Sequence, residues 1–132
     1  MREFKRLGYP AKIGSEYIVA MYPEVEDEMI KIYERSGEKN YFIGQLKQRI
    51  KYLEEKKKNC ILHRNWFENY KGEDWLYCLI IKDKQNFRMY FVFHNNKAVL
   101  LHAFVERRDT SDIRRAKKIA KERYEIIKNI ME

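Results

Sequence analysis

Cysteine, proline and glycine are all scarce in this 132-residue chain, with two, two and five copies, and each scarcity closes off a class of protein. Cys60 and Cys78 form no CxxC pair and no Cys/His ligand spacing, so neither a disulfide scaffold nor a zinc site is expected. Two thiols in a highly charged chain point to a reducing cytoplasm. Few glycines and prolines exclude collagenous and low-complexity architectures, and no repeat or linker interrupts the chain. No apolar run approaches the ~20 residues that span a bilayer. The first residues, "MREFKRLGYP", are basic without an apolar stretch, so no signal peptide is expected. Together these absences predict a soluble cytoplasmic protein without metal, cofactor or membrane.

What is present is charge and aromatic surface. The chain is 45% hydrophobic and 36% charged, with a formal net charge of +8. That is apolar enough for one folded domain over residues 1–132, and too apolar for a disordered chain. The positive charge is concentrated. Residues 39–72 carry a net +6 and residues 106–132 a net +3, while residues 1–38 are net acidic at −2. Such a field favours a polyanionic partner, nucleic acid or an acidic protein.

Periodicity divides the chain into seven elements. "SEYIVAMY" (15–22) reads as a strand. "PEVEDEMIKIYERSG" opens a helix at Pro23, with acidic residues in its first turn, a Val25/Met29/Ile32 stripe and Gly37 as its stop. A second helix over 40–59 places Phe42, Leu46, Ile50 and Leu53 on one side, and Gly44 inside it suggests close helix packing. Residues 60–72 read as an irregular basic and aromatic connection. Strands follow at 74–83, 86–93 and 97–105, the last two joined by Asn95-Asn96, a pair suited to positive φ in a type I′ turn. A helix from Thr110 closes the chain, with Ile113, Ala116, Ala120, Ile127 and Ile130 as its apolar stripe. The order β-α-α-β-β-β-α implies an α+β domain with a mostly antiparallel four-stranded sheet and its helices on one face. Residues 1–14 form an N-terminal extension without a predicted element.

Alternation then assigns the sheet residues. Phe87, Met89, Phe91 and Phe93 face the helices, as do Trp75, Tyr77, Leu79 and Ile81. Arg88 and Tyr90 point to the face expected to be open. His102 shares its face with Leu100 and Phe104. Arg88, Tyr90, Arg107 and Arg108, with His63, Arg64 and Lys71 of the basic connection, are thereby candidates for one cationic groove. Guanidinium groups suit phosphate and flat rings suit bases, so single-stranded RNA is the fitting ligand.

The residues "MYPEVEDEM", "IKYLEE" and above all "WLYCLIIKDKQNFRMYFVFHNNKAVLLHAFVERRDTSDIRRAKKIAKER" resemble the RelE/ParE superfamily of bacterial toxins, in its HigB-like, phage-derived branch. The resemblance covers about Tyr17 to Lys128. It implies the toxin of a type II toxin–antitoxin system, with a cognate antitoxin as partner. It further implies a ribosome-dependent, metal-independent mRNA endoribonuclease that inhibits translation, binding mRNA and rRNA. In that setting Arg88, His102 and Lys71 are the expected catalytic residues, Arg88 on the scissile phosphate. Arg64, His63, Arg107, Arg108 and Tyr90 are the expected RNA contacts. The chain departs from the pattern where Cys78 and Ile80 replace a common Glu/Arg pair and where Glu106 replaces a cation. Two alternatives therefore stay open: a non-catalytic toxin that binds DNA gyrase or another protein, and a degenerate relative that only binds RNA.

Overall fold

The computed structural model describes residues 19–70, 72–83, 85–107 and 110–130. The N-terminal extension, Lys71, Lys84 and Arg108 lie outside the described residues. The elements are β1 (Val19–Met21), α1 (Pro23–Ser36), α2 (Lys39–Lys56), a 3-10 turn (Lys57–Leu62), β2 (Phe67–Tyr70), β3 (Glu73–Lys82), β4 (Asn86–His94), β5 (Lys97–Val105) and α3 (Thr110–Ile130).

The chain is α+β, but its sheet is not the expected four strands. Five strands run in the order β1-β5-β4-β3-β2, with β1 parallel to β5 and the other pairs antiparallel. The added strand, β2, comes from the segment expected to be irregular. Its sequence, "FENY", has one fully buried apolar residue, Phe67, and is too short to show a period. Pairing with β3 supplies the order that the local sequence does not.

Several boundaries follow from local chemistry. α1 begins at Pro23, carries Glu24 and Glu26 in its first turn, and ends at Gly37 with φ 72°, where a Cβ would be strained. Asn95 and Asn96 take φ of 50° and 61°, as a type I′ hairpin turn demands. Gly44 is different. A Cβ built there meets nothing within 4 Å, so this glycine does not serve close packing.

The helices do not share one face either. Phe42, Leu46, Ile50 and Leu53 of α2 and Val25 and Met29 of α1 bury against Leu79, Ile81, Phe87, Met89, Phe91 and Leu100. On the opposite face, Ala116, Ala120 and Ile127 of α3 close over Leu76, Cys78, Ile80, Tyr90, Val92, Val99 and Leu101. Small alanines let α3 approach closely. Trp75, expected toward the first pair of helices, instead stacks on Tyr124 of α3 at 5.3 Å. The face expected to be open is therefore a second core. Each large apolar side chain fully buried in either layer contributes about 1.5–3 kcal/mol.

A register shift in the β4–β5 ladder decides where His102 points. Phe91 pairs with Leu100 but Tyr90 pairs with His102, so Leu101 is an extra residue in β5. Bulges re-aim the side chains that follow them. Leu100 belongs to the first core and Leu101 to the second, and His102 then falls on the side of Tyr90 and Phe104, stacking on the Phe104 ring at 5.6 Å. Strict alternation would have kept it with Leu100.

Two stability outcomes are expected. Ile127→Ala loses about 2–5 kcal/mol in urea unfolding, because Ile127 is fully buried under the sheet; an unchanged midpoint would mean that α3 does not pack there. Gly44→Ala gains about 0.5–1 kcal/mol in the same measurement.

Candidate functional site

β1 pairs only with Ala98–Leu100 of β5, and the Tyr22 N–H extends that ladder to the Leu100 carbonyl at 2.8 Å. Among the described residues no strand pairs with β5 beyond this point, so its backbone groups need other partners. Side chains provide them. Arg123 of α3 donates to the Leu101 carbonyl at 2.8 Å, and the Ala103 N–H donates to Glu28 of α1 at 3.1 Å. Glu28 and Arg123 also bond each other at 3.0–3.1 Å, and the Arg123 guanidinium lies 4.9 Å from the Tyr22 ring centre. His102 joins this set through Nδ1, 3.1 Å from the second oxygen of Glu28. Burial pushes the Glu28 carboxyl upward, but hydrogen bonds from His102 and Arg123, the His102 charge and the Ala103 amide outweigh it and hold it below its ordinary value.

The His102–Glu28 pair forms part of the wall of a groove. Two adjoining cavities of about 630 and 420 Å³ share Ile32, Arg35, Val105 and Arg107. The smaller also contains Glu28, His102 and Arg115, and the larger Lys82, Asn86 and Glu106. Arg35, Arg107 and Arg115 thus share a cavity with a histidine fixed by a carboxylate, and Lys82 lines the adjoining one. Among the described residues no group of three or more His, Cys, Asp or Glu has a metal-holding arrangement. The two cavities bring together these cations, one imidazole and four carboxylates.

Arg88 is buried, at 9% exposure. It forms ion pairs with Glu68 of β2, at 3.1 Å, and with Glu106 after β5; Glu106 also accepts from Asn86 at 2.9 Å. Burial disfavours the Arg88 charge, yet the Glu68 and Glu106 carboxylates beside it favour it, and the net direction is upward. Next to it Tyr90 donates to the Tyr70 hydroxyl at 3.1 Å. Burial pushes the Cys78 thiol up to about 12, which keeps it protonated and unreactive. Lys117 of α3 sits 4.6 Å from the Tyr70 ring centre and pairs with Glu73 at 3.1 Å.

The expected site residues therefore separate into three places. His102 and Arg107 share the groove. Arg88 and Tyr90 belong to the ionic and phenolic cluster, linked to the groove through Glu106. His63 lines neither cavity; it stacks on Trp66 at 4.1 Å, with Tyr52 edge-on and Arg49 over the Trp66 face. Arg64 is exposed beside it. Lys71 and Arg108 fall outside the described residues. Glu28, Arg35, Arg115 and Arg123 were not singled out from sequence. Glu28 and Arg35 sat in a helix read only for its caps and stripe, although both lie within a turn of Ile32.

No protein-family model, curated protein or solved structure matches the chain. Among the described residues no helix is long and apolar enough to cross a membrane.

The Glu28 environment makes a pH prediction. Its folded pKa lies below its ordinary 4.5, so the unfolded chain binds more protons and the interaction stabilises the fold fully above that value. Glu28→Gln is expected to be less stable than wild type at neutral pH. The difference should shrink as pH falls through the depressed folded pKa, measured by denaturant unfolding at a series of pH values. A gap that stays constant into acid would remove the charge-based account.

Proposed function

We propose that this protein is a translation-inhibiting toxin of the RelE/ParE kind that cleaves mRNA on the ribosome, neutralised by a cognate antitoxin, and that the groove beside His102 is where it meets RNA. The observation that carries this reading is the imidazole of His102, held by Glu28, in a groove with Arg35, Arg107 and Arg115. The α+β class is consistent with this reading, while the fifth strand and the helix on the second face depart from the expected arrangement.

The chemistry follows from the groups present. RNA carries its own nucleophile, the ribose 2′-hydroxyl, beside each phosphate. With Nδ1 directed to Glu28, His102 takes the hydroxyl proton at Nε2, the role a carboxylate–histidine pair suits. The 2′-oxygen bonds to phosphorus, the bond to the 5′-oxygen breaks, and that oxygen takes a proton from solvent. Arg35 and Arg107 carry the charge that gathers on the phosphoryl oxygens. Because the cations are side chains, the reaction needs no bound metal. Arg88, with two carboxylates already on its guanidinium, acts here as a positioning residue: it fixes Glu106 and so the start of the segment that carries Arg107.

Induced expression in bacteria, with primer extension on an abundant mRNA, tests the reading. Wild type is expected to arrest growth and produce new 5′ ends. His102→Asn should lower cleavage by about 10²–10⁴-fold, and Arg107→Gln should weaken it while the protein stays soluble. Arrest without cleavage would transfer the assignment to a toxin that binds a protein target. Soluble protein without arrest would end the toxin reading.

A further inference from the structure

A third cavity lies at the other end of the sheet. It measures about 720 Å³ and is lined by Lys56–Asn59, by residues 93–96 and by Ala98. β4 spans the interval, with Asn86 at the groove and His94 at this cavity, roughly 25 Å apart at the usual strand rise. Its lining includes three lysines and no carboxylate. Each cavity of the groove, by contrast, includes two carboxylates, Asp83 and Glu106 in one and Glu28 and Asp112 in the other. No carboxylate among the described residues forms an ion pair with Lys56, Lys57 or Lys58. Among the described residues this positive charge is not neutralised.

The end of a helix accounts for part of it, since cations are favoured there. It does not account for Lys57. That residue ends α2 at φ 53° and ψ −127°, with its N–H bonded to the Leu53 carbonyl. The conformation lies outside the regions open to L-residues, and glycine would adopt it without strain. Strained non-glycine residues persist where the side chain is needed. The cavity adds what a nucleotide uses besides charge: the partly exposed Phe93 ring and the side-chain amides of Asn59 and Asn96. Ammonium groups act as point charges on phosphate, whereas recognition of carboxylates favours the paired donors of arginine. The wall holds lysines and no arginine.

We propose that this cavity is a second RNA-binding site, in which Lys56, Lys57 and Lys58 neutralise phosphates of a single strand while Phe93 and the two asparagines meet a base. The site anchors RNA whether or not the groove cuts it.

The test measures binding by fluorescence anisotropy, with the full chain and a short labelled 2′-O-methyl oligoribonucleotide, which lacks the hydroxyl needed for cleavage. Replacing Lys56, Lys57 and Lys58 together by Gln is expected to weaken binding about tenfold or more at low salt and to reduce the log–log salt slope by about 2. Lys57→Gly alone should raise Tm, by relieving the backbone, and still weaken binding. Unchanged affinity and slope in the folded triple variant would overturn the proposal. So would binding to duplex DNA of equal length as tight as to the oligoribonucleotide, since the cavity would then be an unselective cation cluster. Because cleavage is not measured, loss of the nuclease reading leaves this result intact, and the reverse holds too.

Discussion

The half of β5 that no strand among the described residues pairs with is the constraint from which much of this structure follows. β1 covers three residues of β5 and stops, leaving a carbonyl at Leu101 and an amide at Ala103 that a sheet normally pairs with backbone. Glu28 and Arg123 take those two groups and each other. One belongs to α1 and the other to α3, so the pair ties together helices on opposite faces of the sheet around its edge. A charged pair also protects the edge from strand addition by another chain, a hazard that open strands carry. Removing one partner would leave the other charge and a backbone group unmatched together, and the loss should exceed that of a surface ion pair.

The same arrangement makes a site out of an edge. Glu28 has two oxygens, and only one is needed for the backbone amide, so the other is available to orient His102. The bulge at Leu101 completes the geometry by turning His102 away from the first core. Neither feature would place the imidazole alone. The groove then acquires its cations from three separate segments: Arg35 near the end of α1, Arg107 after β5 and Arg115 in α3. Convergence of charge from distant parts of the chain costs repulsion, partly offset here by Glu28, Glu106 and Asp112. A binding surface for phosphate can carry that repulsion because the ligand relieves it.

Much of the architecture was readable from the residues themselves. The α1 stop at Gly37, the buried stripe of α2 and the Asn95-Asn96 turn all follow from local rules, and the structure has them. The second core was also legible, though the reading of one open face missed it. "LYCLII", "MYFVF" and "AVLL" are apolar at nearly every position rather than at alternate ones, the mark of strands covered on both sides. Other parts were not legible. A four-residue edge strand has no period to detect, and a one-residue bulge leaves no local signature in "VLLHAF". The Glu28–His102 contact joins residues 74 positions apart. Of the expected site residues, sequence alone could select the polar positions in the strands but not which of them the bulge and α3 would leave beside open space.

Arg88 and Lys57 show why charge in a sequence is an ambiguous sign of function. Arg88 is conspicuous in the sequence, in mid-strand among aromatics, yet its charge is answered within the fold by Glu68 and Glu106, and it is buried. Such a group stabilises the fold's own geometry, since burying it unpaired would be prohibitive. Lys57 is inconspicuous, one lysine in a run of three. It nevertheless occupies a backbone conformation suited to glycine, and no carboxylate among the described residues answers its charge. The useful distinction is therefore whether the folded chain already satisfies a cation or leaves it unsatisfied at a cost. By that measure Arg88 is matched within the fold, whereas among the described residues Lys57 is not.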